Sequence, residues 1–163
     1  MEQIRKAFYP SPIGVIEMTG TEEAILTVHF TARKKAETSE WTPALEAGLR
    51  QLDEYFAGKR RTFVLNLHPR GTDFQRKIWA ALLDVPFGRT ATYGEIARAI
   101  GRPAAVRAAG AANGRNPISI IIPCHRIVGA TGSLVGYGGG LWRKEWLLAH
   151  ERKHAAPAGA LFT

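Results

Sequence analysis

The 163-residue sequence predicts an α+β protein, in which a small N-terminal α/β domain precedes a mainly helical C-terminal domain carrying a helix-turn-helix. Three observations carry this reading. Residues 14–30 hold two apolar strand segments around a turn, and residues 72–101 hold two helix-start signatures with apolar residues three and four apart. Between them Pro69-Arg70-Gly71 interrupts both patterns. The boundary is set there, giving domains at 1–70 and 71–154 and a flexible tail over 155–163.

In the first domain, Gly14–Met18 and Ala24–Phe30 read as strands, and Gly20-Thr21-Glu22-Glu23 joins them as an antiparallel hairpin. Pro43 suits the first position of a helix, whose Leu45, Leu49, Leu52 and Phe56 share one face before Gly58 ends it. Thr62 to Leu67 reads as a further strand.

In the second domain, Thr72-Asp73-Phe74-Gln75 has the spacing at which a threonine and a glutamine satisfy each other's backbone donors. The helix behind it is expected to bury Phe74, Ile78, Trp79, Leu82 and Leu83, and Pro86-Phe87-Gly88 closes it. Thr92-Tyr93-Gly94-Glu95 repeats the device and opens a short helix through Ile96, Ala97 and Ile100 that stops at Gly101. Pro103 reads as the first residue of a third helix running to Asn113-Gly114, so two short helices flank the Gly101 turn. The apolar run Ile118-Ser119-Ile120-Ile121-Ile122 reads as a short strand and Ile127-Val128 as the start of another. A last helix with Trp142, Trp146 and Leu147 follows the glycine-rich Gly136-Tyr137-Gly138-Gly139-Gly140.

Hydrophobic content of 45% and charged content of 22% are ordinary for a globular chain. No apolar stretch approaches the roughly 20 residues that cross a bilayer, and no leading segment resembles a signal peptide, so the cytoplasm is the expected location. The charge is uneven. Residues 1–72 carry 10 Lys+Arg against 9 Asp+Glu, whereas residues 73–163 carry 12 against 5. Such a basic half suits a polyanion such as nucleic acid, or a basic surface with no partner at all.

Cys124 is the one cysteine, which excludes an internal disulfide and the usual structural zinc patterns. Behind an apolar run, a lone cysteine commonly fills a core. Two details favour a nucleophile instead. Pro123 cannot donate to a sheet ladder and should end the strand with Cys124 at its mouth, and His125 and Arg126 are poor core companions.

The third helix is almost without side-chain bulk. Ala104, Ala105, Ala108, Ala109, Ala111 and Ala112 leave Arg107 as its one long projection beyond Arg102. Small residues suit close packing on neighbouring helices, and they equally suit close approach to a nucleic-acid backbone. With too few hydrogen-bonding side chains to read base edges, a lone arginine suggests wedging or phosphate contact.

The segment Ile122-Pro123-Cys124-His125-Arg126-Ile127-Val128 closely resembles the signature of the O6-alkylguanine-DNA alkyltransferases, the methylated-DNA–protein-cysteine methyltransferases. Thr92-Tyr93-Gly94-Glu95, Ala105-Val106-Arg107-Ala108-Ala109-Gly110, Asn116-Pro117, Tyr137-Gly138-Gly139-Gly140 and Lys144-Glu145-Trp146-Leu147-Leu148-Ala149-His150-Glu151 extend the likeness over residues 71–152. The resemblance implies a ribonuclease-H-like N-terminal domain and direct-reversal DNA repair. An alkyl group on O6 of guanine, and on O4 of thymine, passes irreversibly from a flipped-out base to Cys124, without cofactor or metal.

The resemblance also implies roles. Cys124 is the nucleophile, His125 the base acting through a water, and Glu151 the group that orients the imidazole. Tyr93 donates a proton to the leaving guanine, and Asn116 steadies the active-site turn. Arg107 fills the gap left by the flipped base, while Tyr93, Gly94, Arg102, Ala105 and Ala130 lie where the family meets DNA. Tyr137, Gly138, Gly139 and Ser119 line the substrate pocket. Many relatives carry serine or alanine at the Gly138 position and some carry proline at the Ser119 position, so methyl lesions are implied and benzyl-type inhibitors are not implied either way. The expected partner is double-stranded DNA with alkylated bases, bound by a monomer with no obligate protein partner and with room for cooperativity on DNA.

Two other classes compete with this reading. An alkyltransferase-like sensor binds alkylated DNA but lacks the reactive cysteine, which Cys124 opposes. A helix-turn-helix regulator would want polar base-reading side chains on its second helix, where this chain has alanine.

Overall fold

Alternating apolar residues in the first 30 positions build a three-stranded antiparallel sheet, ordered β1 (Arg5–Ser11), β2 (Gly14–Gly20) and β3 (Ile25–Phe30). The computed structural model describes residues 3–38 and 40–155. The hairpin of β2 and β3 matches the sequence reading, with Met18 opposite Val28. Strand β1 is an addition. Its Pro10 weakens the strand signal, and the structure tolerates it because β1 is an edge strand.

Helix α1 (Pro43–Phe56) lays Leu45, Leu52 and Tyr55, all fully buried, into the core with Met18 and Val28. Thr42 caps it, its hydroxyl accepting from the Leu45 N–H at 3.2 Å. Gly48 permits the close approach of α1 to β2, since a Cβ there would stand 2.7 Å from the Met18 methyl carbon. Residues 62–67 do not form the expected strand. The Gln51 side chain accepts from the Val64 N–H at 2.9 Å and donates to its carbonyl at 3.0 Å, so a side chain replaces a strand partner. Leu67 alone bridges to Ile25.

The chain divides into two compact units. One runs to Arg70 and takes in Pro117–Ile121; the other comprises Gly71–Asn116 and the chain from Ile122 onward. Within the first unit, the run expected as a strand makes only one parallel bridge, Ile118 to Val28. Ser119 donates to the Val28 carbonyl at 2.8 Å, and the Ile121 N–H turns back to the Ser119 carbonyl at 2.8 Å. Ile120 adopts φ 70°, a left-handed conformation no strand contains and one that costs a β-branched residue about 1–3 kcal/mol.

The second unit is helical, as expected. Helix α2 (Asp73–Leu82) starts with the reciprocal Thr72 and Gln75 bonds, and α3 (Tyr93–Ala99) with those of Thr92 and Glu95. Ile78, Trp79 and Leu82 are buried, but Phe74 is half-buried and Leu83 half-exposed, because Leu83 lies past the last helical residue and Val85 takes the core position. Gly101, at φ 74°, supplies the left-handed turn after α3. Helix α4 (Val106–Gly114) begins later than Pro103, which stays in a turn closed by the Ala105 N–H on the Arg102 carbonyl at 2.9 Å. Alanines 109 and 112 are buried in this helix, and the Trp79 indole donates to the Ala112 carbonyl at 2.8 Å. Two-residue strands β4 (Ala91–Thr92) and β5 (Ile127–Val128) pair in parallel.

Helix α5 (Leu141–Ala155) completes the unit and takes in Ala155, the first residue of the expected tail; residues 156–163 lie outside those described. No described helix is long and apolar enough to cross a membrane.

Candidate active site

Pro123 has no N–H to extend a ladder, and after it the chain tightens into a single 3-10 turn, Cys124–Arg126. The turn is closed by Cys124 N–H to the Ile122 carbonyl at 2.8 Å and Arg126 N–H to the Pro123 carbonyl at 3.0 Å. It buries all three side chains at once, which an extended strand could not do. Cys124 is therefore buried at 6% exposure rather than displayed at a strand mouth.

His125 and Glu151 are fully buried, with Nε2 and Oε2 separated by 2.7 Å. Arg126 clamps the same carboxylate, its Nε donating to Oε1 at 2.8 Å and its Nη2 to Oε2 at 3.0 Å. Its Nη1 donates to the Val85 carbonyl at 2.8 Å, and the Gly88 N–H donates to Glu151 Oε1 at 3.2 Å. Burial works to raise the Glu151 carboxyl, but the His125 ring and the Arg126 guanidinium overcome it and hold it well below the usual carboxylate range. Burial, helped by the charges of Arg126 and Lys144, lowers the His125 pKa against the opposing pull of Glu151. The pair at neutral pH is thus a carboxylate and a neutral imidazole. A carboxylate can only accept, so Nε2 carries the hydrogen and Nδ1 is the basic nitrogen. Among the described residues Nδ1 meets no hydrogen-bond partner.

Burial pushes the Cys124 thiol up, opposed by a hydrogen bond from the Asn116 side chain and by the charge of Lys144. Asn116 also donates to the Ile122 carbonyl at 2.7 Å, joining the point where the chain leaves this unit to the point where it returns. Tyr93, at the start of α3, places its hydroxyl 3.4 Å from the Val135 carbonyl. Burial and the Cys124 charge raise its pKa, and Asn113 lowers it in part.

The structure brings Cys124, His125, Glu151, Tyr93 and Asn116 together in the second unit. Gly94, Arg102, Ala105 and Arg107 lie along the α3–α4 helix pair, with Arg102 and Arg107 exposed; Ala130 is exposed in the loop after β5. In the glycine-rich loop, Gly138 is exposed, the Tyr137 carbonyl accepts from the Gly140 N–H at 2.9 Å, and the Gly139 carbonyl accepts from Arg143 at 2.9 Å. Ser119 belongs to the first unit instead.

Three residues escaped the sequence reading. Arg126 was noted only as a poor core neighbour, yet it is the clamp on Glu151. Lys144 is fully buried, its ammonium donating to the carbonyls of Ile127 at 2.5 Å and Val135 at 2.8 Å, so it ties the loop ahead of Tyr137 to β5 beside the thiol. The signal was present, since Lys144, Leu147, Leu148 and Glu151 follow helical spacing on one face of α5. Asn113 is buried on α4 and donates to the Cys124 carbonyl at 3.4 Å; no sequence pattern marked it.

A buried thiol supported by a base–carboxylate pair, in the same unit as an exposed arginine-bearing helix-turn-helix, defines a cysteine-nucleophile protein built on a nucleic-acid-binding scaffold. Residues 73–153 match the family described as 6-O-methylguanine DNA methyltransferase, DNA binding domain, and residues 4–69 match its ribonuclease-like domain. A methylated-DNA–protein-cysteine methyltransferase of Methanosarcina acetivorans is 49% identical over 150 residues, covering 89% of this chain and 96% of the relative. The crystal structure of Mycobacterium tuberculosis O6-methylguanine methyltransferase superposes with a TM-score of 0.85 at 44% identity, covering 99% of this chain and all of the other. That of M. tuberculosis OGT in complex with DNA gives 0.81 at 45% identity, covering 98% and 99%. This chain belongs to the methylated-DNA–protein-cysteine methyltransferase family.

Proposed function

We propose that this protein repairs DNA by direct reversal, taking the alkyl group from O6 of an alkylated guanine onto the sulfur of Cys124. One observation carries the reading. Glu151 fixes the hydrogen of His125 on Nε2, which leaves Nδ1 basic on the residue that follows the only cysteine in the sequence. Burial keeps that thiol protonated at rest, so a local base is required. His125 takes the thiol proton by way of a water, and the Asn116 and Lys144 side chains favour the thiolate that forms.

The thiolate then attacks the alkyl carbon. A C–S bond forms, the C–O6 bond breaks, and its electron pair remains on the guanine. Tyr93, kept protonated by burial and only weakly held at Val135, supplies a proton to the departing base. The thioether offers no route back, so each molecule acts once.

The base must leave the duplex to reach the sulfur, at a cost of a few kcal/mol. Arg107 on α4 occupies the gap, and Gly94, Arg102, Ala105 and Ala130 contact the backbone. The exposed arginines 98, 102, 107 and 115 support phosphate contact that weakens with salt. Tyr137, Gly138 and Gly139 shape the pocket, and O4-alkylthymine is a second substrate. The protein works as a cytoplasmic monomer, with domains at 1–70 and 71–154.

The test is intact-protein mass spectrometry after incubation with a duplex containing one O6-methylguanine, beside Cys124→Ser. A single stoichiometric methyl gain on the wild type alone is expected. Tight lesion binding with no mass gain would establish a sensor instead.

A further inference from the structure

The segment between α2 and β4 reaches both members of the buried ion pair. The Val85 carbonyl accepts from Arg126 Nη1 at 2.8 Å, and the Phe87 ring centre lies 5.7 Å from the same guanidinium carbon. Three residues after Val85, the Gly88 N–H donates to Glu151 Oε1 at 3.2 Å. His125 and Arg126 also bond this carboxylate, but both sit in the three-residue turn of Cys124 and would move with it. The Gly88 amide lies 63 residues from Glu151 in sequence and belongs neither to that turn nor to α5.

Gly88 meets two demands at once. It takes φ 79° as the third residue of a turn from Pro86, closed by the Arg89 N–H on the Pro86 carbonyl at 3.1 Å. A Cβ there would also collide with that of Ala155, which follows Glu151 by one helical turn on the same face of α5. Both demands explain a glycine. Neither explains where its N–H is aimed, because the turn is closed through Arg89 and makes no use of the Gly88 hydrogen. That hydrogen goes to a fully buried carboxylate.

We propose that Gly88 is a positioning residue for alkyl transfer, its N–H fixing Glu151 Oε1 so that Oε2 stays on the His125 Nε2 hydrogen. The carboxylate is then held by main chain outside the Cys124–Arg126 turn and does not swing with the turn that carries the nucleophile. The tautomer that leaves Nδ1 basic follows from this. The inference rests on the transfer reading and on the His125–Glu151 pair within it.

The test replaces the Phe87–Gly88 amide by an ester, with glycolate in place of Gly88, which removes the N–H and keeps the turn and the approach to Ala155. The imidazole nitrogen NMR shifts of His125 and single-turnover transfer from duplex O6-methylguanine are compared with wild type. The wild type is expected to carry its hydrogen on Nε2, and the ester protein to share it between both nitrogens. The limiting rate constant of the ester protein should fall about 10-fold, while the half-saturating DNA concentration stays within about 2-fold. An unchanged limiting rate, a loss confined to half-saturation, or a slower rate with unchanged nitrogen shifts would overturn the proposal. If the ester protein loses its helical circular dichroism, Gly88→Ala takes its place, alone and with Ala155→Gly. The added methyl should push the turn off α5 and removal of the facing methyl should let it return, with rate and nitrogen shifts moving together; a rate that moves without the shifts overturns the proposal. A wild type that gains no methyl would sink the transfer reading itself, whereas the nitrogen shifts need no substrate and test Gly88 on their own.

Discussion

The first unit is held by apolar side chains: Met18, Val28, Leu45, Leu52 and Tyr55 have no exposure, and its buried polar residues are Thr19, Thr21, Thr42 and Gln51. In the second unit the buried polar set is His125, Arg126, Lys144, Glu151, His150 and Asn113. Burying charge costs several kcal/mol per ion before pairing offsets it, and a well-packed apolar core is often the more stable arrangement. The second unit therefore gives up stability that the first keeps. What the charges secure is chemistry, namely a fixed imidazole tautomer, a carboxylate that stays ionised and an ammonium beside a thiol.

The largest effect should come from Glu151→Gln, which breaks this contrast at its centre. Arg126 is then left buried without its anion, and unfolding free energy should fall by about 3–5 kcal/mol in denaturant titration. With the Nε2 hydrogen no longer pinned, the transfer rate should drop about 100-fold while DNA affinity holds. An unchanged rate would remove Glu151 from the mechanism.

The counterpart in the first unit is Leu52→Ala. A fully buried leucine of α1 should cost about 2–5 kcal/mol of stability, with the transfer rate of the folded protein at low temperature within about 2-fold of wild type. A large rate loss in fully folded protein would show that the first unit takes part in the chemistry.

The smallest effect is the pH dependence. His125 has a folded pKa below its ordinary 6.5 and Glu151 one below the usual carboxylate range. The unfolded chain thus binds protons that the folded one refuses, so their stability is complete above about pH 6.5 and is lost as pH falls. The melting temperature should be level above neutrality and decline by several degrees between about pH 6.5 and 5. His125→Gln should flatten that decline. If it does not, the charged cluster is not the origin, and His150, also buried, is the next group to change.

Much of this molecule is local and was readable from the chain. The threonine–glutamine and threonine–glutamate pairs that start α2 and α3, the Gly101 stop and the β2–β3 hairpin each depend on residues a few positions apart. The Pro123-Cys124-His125-Arg126 segment was equally plain, because chemistry-bearing side chains rarely follow an apolar run.

What the sequence could not state were partnerships between distant residues. Whether 62–67 and 118–122 become strands depended on what met their backbone donors; Gln51 and the Val28 main chain did so, and neither is near in sequence. Glu151 was expected to orient the imidazole, but its clamp by Arg126 and the burial of Lys144 on two carbonyls came only with the fold. Asn113 was silent for the same reason, its partner being a carbonyl 11 residues on, so that its burial shows only in the fold. Short-range hydrogen bonding and periodicity are written in neighbouring residues. The energy of a buried charge or amide is set by the partners that folding delivers, so only the tertiary structure added Arg126, Lys144 and Asn113 to the site.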